Sequence, residues 1–149
     1  MTKSKRIVGG QDAPEPIPWQ VNVMFRHQPK CGGTILDHST ILTAGHCFLH
    51  NGIIDTDPRN YTISVGTVAG FPPQDRDTPH DIILYPGYSH KSKFEDDIAI
   101  IKLKDKMDFS KSVKPACLPS LNYNENDCYV SGWGYTIPNP GKEPFHIII

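Results

Sequence analysis

Apolar and polar residues alternate with a period of two along much of this chain. Val21 and Val23 alternate with the polar Asn22 in the run QVNVMF, and YTISV at residues 61–65 repeats the pattern. Side chains that point to opposite faces at successive positions are typical of β-strands. Four further runs are rich in β-branched and aliphatic residues: TIL (34–36), STIL (39–42), DIILY (81–85) and IAIIKL (98–103).

Turn-forming residues separate these runs. The separators are QPKCGG, DHS, GFPPQDRD, YPGYSH and KDKMD. The 14 prolines and 12 glycines also favour many turns over long helices. Many short strands at near-regular spacing predict an all-β protein, built as an antiparallel sandwich or a closed barrel.

Composition and net charge favour a soluble globular domain and argue against nucleic-acid and membrane partners. With 149 residues, 38% hydrophobic and 21% charged, the chain has the size and composition of a soluble globular domain. Its net charge of −1 gives no basic surface, so we expect neither nucleic acid nor an anionic membrane as a partner. No apolar run is long enough to span a bilayer. The basic start MTKSKR leads straight into IVGG, without the apolar core of a signal peptide.

The four cysteines and their spacing help to indicate whether the protein works in an oxidising or a reducing compartment. The cysteines are Cys31, Cys47, Cys117 and Cys128. None has C-x-x-C spacing, which disfavours a zinc ribbon or a thioredoxin-like site. Asn60 begins the N-glycosylation acceptor pattern NYT, which agrees with an oxidising, extracellular setting.

The stretch ILTAGHC places His46 directly before a cysteine. The histidine could be a catalytic base, a metal ligand or an ordinary loop residue, as most of the seven histidines would be. A zinc site would use His46, Cys47 and His50, with Cys31 as a possible fourth ligand. Because that spacing fits no common structural zinc site, we predict no metal here.

Six motifs follow one another over residues 6–135. They are RIVGG (6–10), PWQV (18–21), CGGTIL with LTAGHC (31–36 and 42–47), DDIAIIKL (96–103), ACLPS (116–120) and CYVSGWG (128–134). In this order they resemble the chymotrypsin/trypsin family of serine endopeptidases. The resemblance implies an antiparallel Greek-key β-barrel fold, with the first barrel complete and the second only begun. It also implies serine-type hydrolysis of peptide bonds.

The resemblance assigns roles to two residues. His46 matches the general base, and an imidazole suits that role because its ordinary pKa lies near neutrality. Asp97 matches the aspartate that orients the histidine and stabilises the imidazolium. Period-two alternation puts the neighbouring Asp96 on the opposite face from Asp97, so we favour Asp97.

The resemblance also implies a disulfide between Cys31 and Cys47. It would close a loop of about 16 residues and contribute roughly 3 kcal/mol in the chain-entropy model. The family's partners of Cys117 and Cys128 are missing here, which leaves these two cysteines free or joined abnormally to each other.

Arg6 and Ile7 resemble the activation cleavage site of a zymogen, at which a cut frees the amine of Ile7. The loop VAGFPPQDRD at residues 68–77 lacks the paired glutamates of the family's calcium loop. We therefore expect no calcium there and interpret Asp75 and Asp77 as solvated charges. No cofactor is expected.

The nucleophile motif G-D-S-G-G of the family is absent from the sequence. Ser131, in VSGWG, belongs to a matched structural motif and has no glycine before it. We expect a propeptide-like remnant at 1–6, a truncated peptidase domain at 7–135 and an atypical tail at 136–149. The oxyanion hole and the specificity pocket would lie in the missing part.

Two functions remain open, beside the possibility of a nonfunctional product that does not fold stably. The first is a serine endopeptidase that acts on protein or peptide substrates in a full-length, secreted form, with this chain inactive alone and in need of a C-terminal barrel. The alternative is a non-catalytic protease homologue that acts as a binding or regulatory module. The sequence indicates no substrate preference.

Overall fold

The computed structural model describes residues 13–68, 76–89, 91, 95–118 and 130–133. Within these ranges the strands are β1 (Gln20–Phe25), β2 (Gln28–Asp37), β3 (Thr40–Thr43), β4 (Leu49–His50), β5 (Ile53–Ile54), β6 (Tyr61–Val65), β7 (Arg76–Asp77), β8 (Pro79–Leu84) and β9 (Ala99–Leu103). Two short 3-10 helices, Gly45–Phe48 and Pro58–Asn60, complete the described elements. No helix in the described part is long and apolar enough to cross a membrane.

Seven strands form one antiparallel sheet in the order β7-β6-β1-β2-β3-β9-β8. β8 also contacts β6 and the 3-10 helix Pro58–Asn60, so the two ends of the sheet approach each other and the sheet curls into a half-barrel. β4 and β5 form a separate hairpin whose turn, Asn51–Gly52, has positive φ angles of 51° and 81°. The expected all-β class is confirmed.

The core lies inside the curl. Its buried members are Val21, Val23, Ile35, Ile41, Cys47, Phe48, Tyr61, Ile63, Val65, Ile82, Ala99, Ile101, Leu103, Met107 and Val113. In β9 the buried and half-buried positions alternate, as the period of two predicts. β1 differs, because Asn22 and Met24 are as buried as the valines beside them. This strand lies between β6 and β2, and both of its faces are covered.

One expected turn is wrong. QPKCGG is part of β2, and the chain reverses instead at Arg26 and His27, whose φ angles are 47° and 66°. The glycines of this segment lie within a strand, where they allow neighbouring residues to pack closely against the backbone. A Cβ on Gly33 would lie 3.0 Å from a methyl group of Ile41 and 3.1 Å from the carbonyl oxygen of Leu42. Glycine at this position, which has no side chain, lets β3 approach β2 closely.

The position of two isoleucines relative to the core predicts that their replacement by alanine changes the free energy of unfolding by very different amounts. Ile101 is fully buried, so Ile101→Ala should lower the free energy of unfolding by about 2–5 kcal/mol. Ile53 is 71% exposed, so Ile53→Ala should change it by less than about 0.5 kcal/mol. Urea unfolding followed by tryptophan fluorescence measures both, and equal losses would contradict this assignment of the core.

Candidate active site

His46 lies on a single 3-10 turn that follows β3. The turn spans Gly45–Phe48, and the amide of Cys47 donates to the carbonyl of Ala44 at 3.3 Å. Cys47 and Phe48 are buried in the core and anchor the turn, whereas the side chain of His46 is 52% exposed. The imidazole is therefore exposed to solvent, while the buried residues beside it hold the backbone of the turn in place.

Asp97 reaches the histidine because of strand pairing. β3 and β9 pair antiparallel, with Thr43 opposite Ala99. His46 comes three residues after Thr43, and Asp97 comes two residues before Ala99, so the pairing brings both to the same edge of the sheet. Residues that are 51 positions apart in sequence thus become neighbours.

Two hydrogen bonds join these residues. The backbone amide of His46 donates to Oδ1 of Asp97 at 2.7 Å, and Nδ1 of its ring donates to Oδ2 at 2.7 Å. A carboxylate accepts hydrogen bonds, so Nδ1 carries the proton and Nε2 of the neutral ring keeps its lone pair. Nε2 is the atom that can accept a proton from a nucleophile.

The pKa of Asp97 lies below its ordinary value. Burial acts in the opposite direction, but it is outweighed by the hydrogen bonds from the ring and the amide of His46, by the electrostatic interaction with that ring and by the amide of Gly45. The carboxylate thus stays charged at neutral pH and holds the imidazole in one tautomer.

Asp96 does not reach His46. It is exposed, its φ angle is 53°, and its carboxylate lies against Gly87, where a side chain would clash with it. The two aspartates precede β9, so strand alternation is the wrong reason for their different directions. The left-handed backbone of Asp96 and the bond from the Ile98 amide to its carbonyl, 2.8 Å, form the turn that aims Asp97.

The disulfide between Cys31 and Cys47 is present, with its Cα atoms 5.9 Å apart. It ties β2 to the 3-10 turn that carries His46. Sγ of Cys31 lies 3.9 Å from Nε2 of His46. With Nδ1 protonated neither atom has a hydrogen to share, so this is a packing contact and leaves the lone pair of Nε2 free.

Comparison with known proteins agrees with this geometry. The model of the family described as Trypsin matches residues 7–144. The chain belongs to the trypsin family.

Two relatives show how much of a family member this sequence spans. Over 146 residues it is 29% identical to transmembrane protease serine 11C of Mus musculus, covering 95% of this chain and 32% of that protein. Over 153 residues it is 32% identical to testisin of Homo sapiens, covering 92% of this chain and 48% of that protein. The chain thus spans between about a third and about half the length of these curated relatives.

Tyr88 is a residue of this trypsin-family site that sequence reasoning missed. A Cβ on Gly45 would lie 3.0 Å from two atoms of the Tyr88 ring, so the ring packs on the backbone of the turn. Tyr88 is only 8% exposed, and burial together with the charge of Asp97 raises the pKa of its phenol. Within YPGYSH, which we interpreted as a loop, nothing marks this tyrosine as a support for the turn.

Some predicted positions lie apart from the site. His50 stacks on Phe25, with ring centroids 3.7 Å apart, and its Nε2 donates to the Tyr61 hydroxyl at 2.7 Å, which in turn donates to the Asp55 carbonyl. Burial, and then nearby positive charge, lower the pKa of His50. In the zinc alternative His50 was a ligand, but here it belongs to a separate network.

The remaining predicted residues have other surroundings. Cys117 is an exposed free thiol. Nδ2 of Asn60 donates to Oδ2 of Asp55 at 2.8 Å, and glycosylation of Asn60 stays a prediction. The Ser131 hydroxyl donates to Oε1 of Gln20 at 2.7 Å. The activation site Arg6–Ile7, Cys128, Asp75 and the tail 136–149 lie outside the described residues.

The contact between Gly45 and Tyr88 yields a prediction about stability. Gly45→Ala should force the tyrosine ring off the turn and lower the free energy of unfolding by about 1–3 kcal/mol, the usual cost of overpacking. Gly132→Ala is the matched control, because its Cβ would meet nothing within 4 Å. Thermal unfolding measures both, and equal stability of the two variants would disprove the close packing on Gly45.

The lowered pKa of Asp97 predicts how stability depends on pH. The unfolded carboxyl titrates near 3.8, so the stabilisation is present above that pH and is lost as the pH falls through the lower pKa of the folded state. Asp97→Asn should therefore reduce the slope of unfolding free energy between about pH 5 and about pH 2. Asp105→Asn, which removes an exposed carboxylate and leaves the His46–Asp97 pair intact, is the control. Retention of the wild-type slope by the Asp97 variant would contradict this prediction.

Proposed function

We propose that this chain carries the general base and the orienting carboxylate of a serine endopeptidase. Nε2 of His46 would accept the proton of a serine hydroxyl as its oxygen attacks the peptide carbonyl carbon. The imidazolium would then give this proton to the nitrogen of the leaving amine. A water molecule, activated by the same nitrogen, would release the acyl group from the serine.

The single observation that carries this proposal is the pair of 2.7 Å hydrogen bonds from His46 to Asp97. They fix the tautomer with a free Nε2, and Asp97 stabilises the imidazolium once it forms. In the family's template enzyme, replacement of this aspartate by asparagine lowers kcat by about 10⁴-fold, because the ring then adopts the wrong tautomer. A histidine without such a partner would lack both effects.

The nucleophile would come from sequence beyond these 149 residues. G-D-S-G-G does not occur in the chain, and the Ser131 hydroxyl is engaged with Gln20. We propose that a second barrel supplies the serine, the oxyanion hole and the specificity pocket, and that the chain alone does not hydrolyse peptides. Residues 7–135 would then be the first part of the peptidase domain, with a propeptide-like remnant at 1–6 and an atypical tail at 136–149.

Secretion and zymogen activation are part of the same proposal. The Cys31–Cys47 disulfide favours an oxidising compartment, in which such bonds persist. Cleavage after Arg6 would free the amine of Ile7, and protein substrates would be cut outside the cell. The alternative function, a non-catalytic binding module, would need no second barrel.

A chimera tests the catalytic role directly. Residues 1–133 of this chain would be joined to the downstream part of testisin and cleaved after Arg6. We expect hydrolysis of fluorogenic peptides, and His46→Ala should lower kcat by at least about 10³-fold, because the base is lost. His80→Ala, at an exposed histidine of β8, should leave kcat unchanged.

Peptide mapping of the native product in its source tissue complements the chimera. Peptides that continue into a G-D-S-G-G segment would support the endopeptidase. A mature product that ends at Ile149, or a chimera whose activity survives His46→Ala, would refute the catalytic proposal and leave the binding module as the better explanation.

A further inference from the structure

Three metal-ligating atoms lie together beside the His46–Asp97 pair. They are Nε2 of His46 and the two sulfurs of Cys31 and Cys47, all within 4.8 Å of one another. The sulfurs are joined to each other and cannot bind a metal in that state. Nε2, however, already holds its lone pair toward them, 3.9 Å from the sulfur of Cys31.

We propose that reduction of the Cys31–Cys47 disulfide creates a zinc site formed by Cys31, Cys47 and His46. A dithiol reductant would give two electrons and two protons to the protein disulfide and would itself become a cyclic disulfide. Zn²⁺ would then replace the two thiol protons, which pass to solvent, and two thiolates and one neutral imidazole would bind it.

The distances suit this ligand set. With zinc–sulfur bonds near 2.3 Å and zinc–nitrogen bonds near 2.0 Å, tetrahedral ligand atoms lie about 3.5–3.8 Å apart. The separation of Nε2 from the Cys31 sulfur is already close to this value, and Nε2 lies within 4.8 Å of the Cys47 sulfur. The two sulfurs, now bonded, have to move apart. The exposed side of His46 leaves the fourth position open to water, as in zinc sites with three protein ligands.

The ligands are held by structure that does not depend on the disulfide. Cys31 pairs with Val23 across β2 and β1, and Cys47 is 1% exposed on a turn that continues from β3. Reduction would thus leave both thiols near Nε2, because strand pairing and core packing place them there.

Asp97 supplies the outer contact that zinc-bound histidines usually have. A ligating imidazole generally donates its second N–H to a carboxylate, which fixes the ring and increases its basicity. Nδ1 of His46 makes this bond to Asp97 at 2.7 Å. The arrangement that favours a general base therefore also favours a metal ligand.

The zinc site and the general base would exclude each other. Zinc would occupy the lone pair of Nε2, which the proposed catalytic step needs. Reduction in the presence of zinc would then switch the site off, and removal of zinc followed by oxidation would restore it. The metal site itself does not rest on the proposed function, since its binding can be measured without any catalysis.

Cobalt binding provides the test. The full chain, with Cys117→Ser and Cys128→Ser to remove the other thiols, would be reduced with dithiothreitol, desalted without oxygen and titrated with Co²⁺. We expect one equivalent to bind with thiolate-to-cobalt charge-transfer bands and the absorption of a tetrahedral centre, and Zn²⁺ should displace it. The oxidised chain should bind none.

Three variants separate this site from adventitious binding by thiols. Asp97→Asn should weaken cobalt binding by about 10–100-fold through loss of the outer contact. His46→Gln should weaken it by at least about 10-fold and abolish the tetrahedral spectrum. His80→Gln, at an exposed histidine of β8, should bind as the parent chain does.

Several outcomes would overturn the proposal. They are the absence of charge-transfer bands after reduction, an equal cobalt affinity of the His46 variant and the parent, and equal binding by the oxidised chain. If the reduced, metal-free chain loses its far-ultraviolet circular dichroism, Zn²⁺ should restore it. Failure of zinc to restore the signal would also refute the site, since a bound metal stabilises the state that binds it.

Discussion

The antiparallel pairing of β3 with β9 is the constraint on which the candidate site depends. Its register sets Thr43 opposite Ala99 and so brings the turn with His46 to the loop with Asp97. A slip by one residue would turn the side chains of β9 to the other face and remove Ile101 from the core. The same register is thus required for packing of the sheet and for alignment of His46 with Asp97. The buried isoleucines maintain this register.

Contacts around this strand pairing hold His46 and Asp97 in a defined relative position. The disulfide ties the 3-10 turn to β2, and the Tyr88 ring packs on the backbone of Gly45. The left-handed Asp96 then directs Asp97. Each support acts on the backbone near one of the two residues and so keeps the two side chains within hydrogen-bonding reach. The side chain of His46 remains exposed toward solvent despite these restraints.

Much of this architecture could be predicted from the sequence. The period of two located β1 and β6 at their observed bounds, although β1 is buried on both faces. The reversal at Arg26 and His27 could not be predicted, since this pair lacks the glycine and asparagine usual in two-residue hairpin turns and the pairing of β1 with β2 imposes the turn. His46 and Asp97 followed from motif resemblance. Tyr88 did not, because its contact with Gly45 exists only in three dimensions.

Asp97 receives two hydrogen bonds from one residue, and they differ in how they respond to motion. The bond from the Nδ1 atom of His46 breaks whenever the imidazole rotates away, but the bond from the backbone amide does not depend on the ring. The carboxylate therefore keeps its place while the ring is absent, with one oxygen still directed at the vacated position. An imidazole that rotates away can therefore return to the same hydrogen bond, because the backbone amide of His46 still holds the carboxylate.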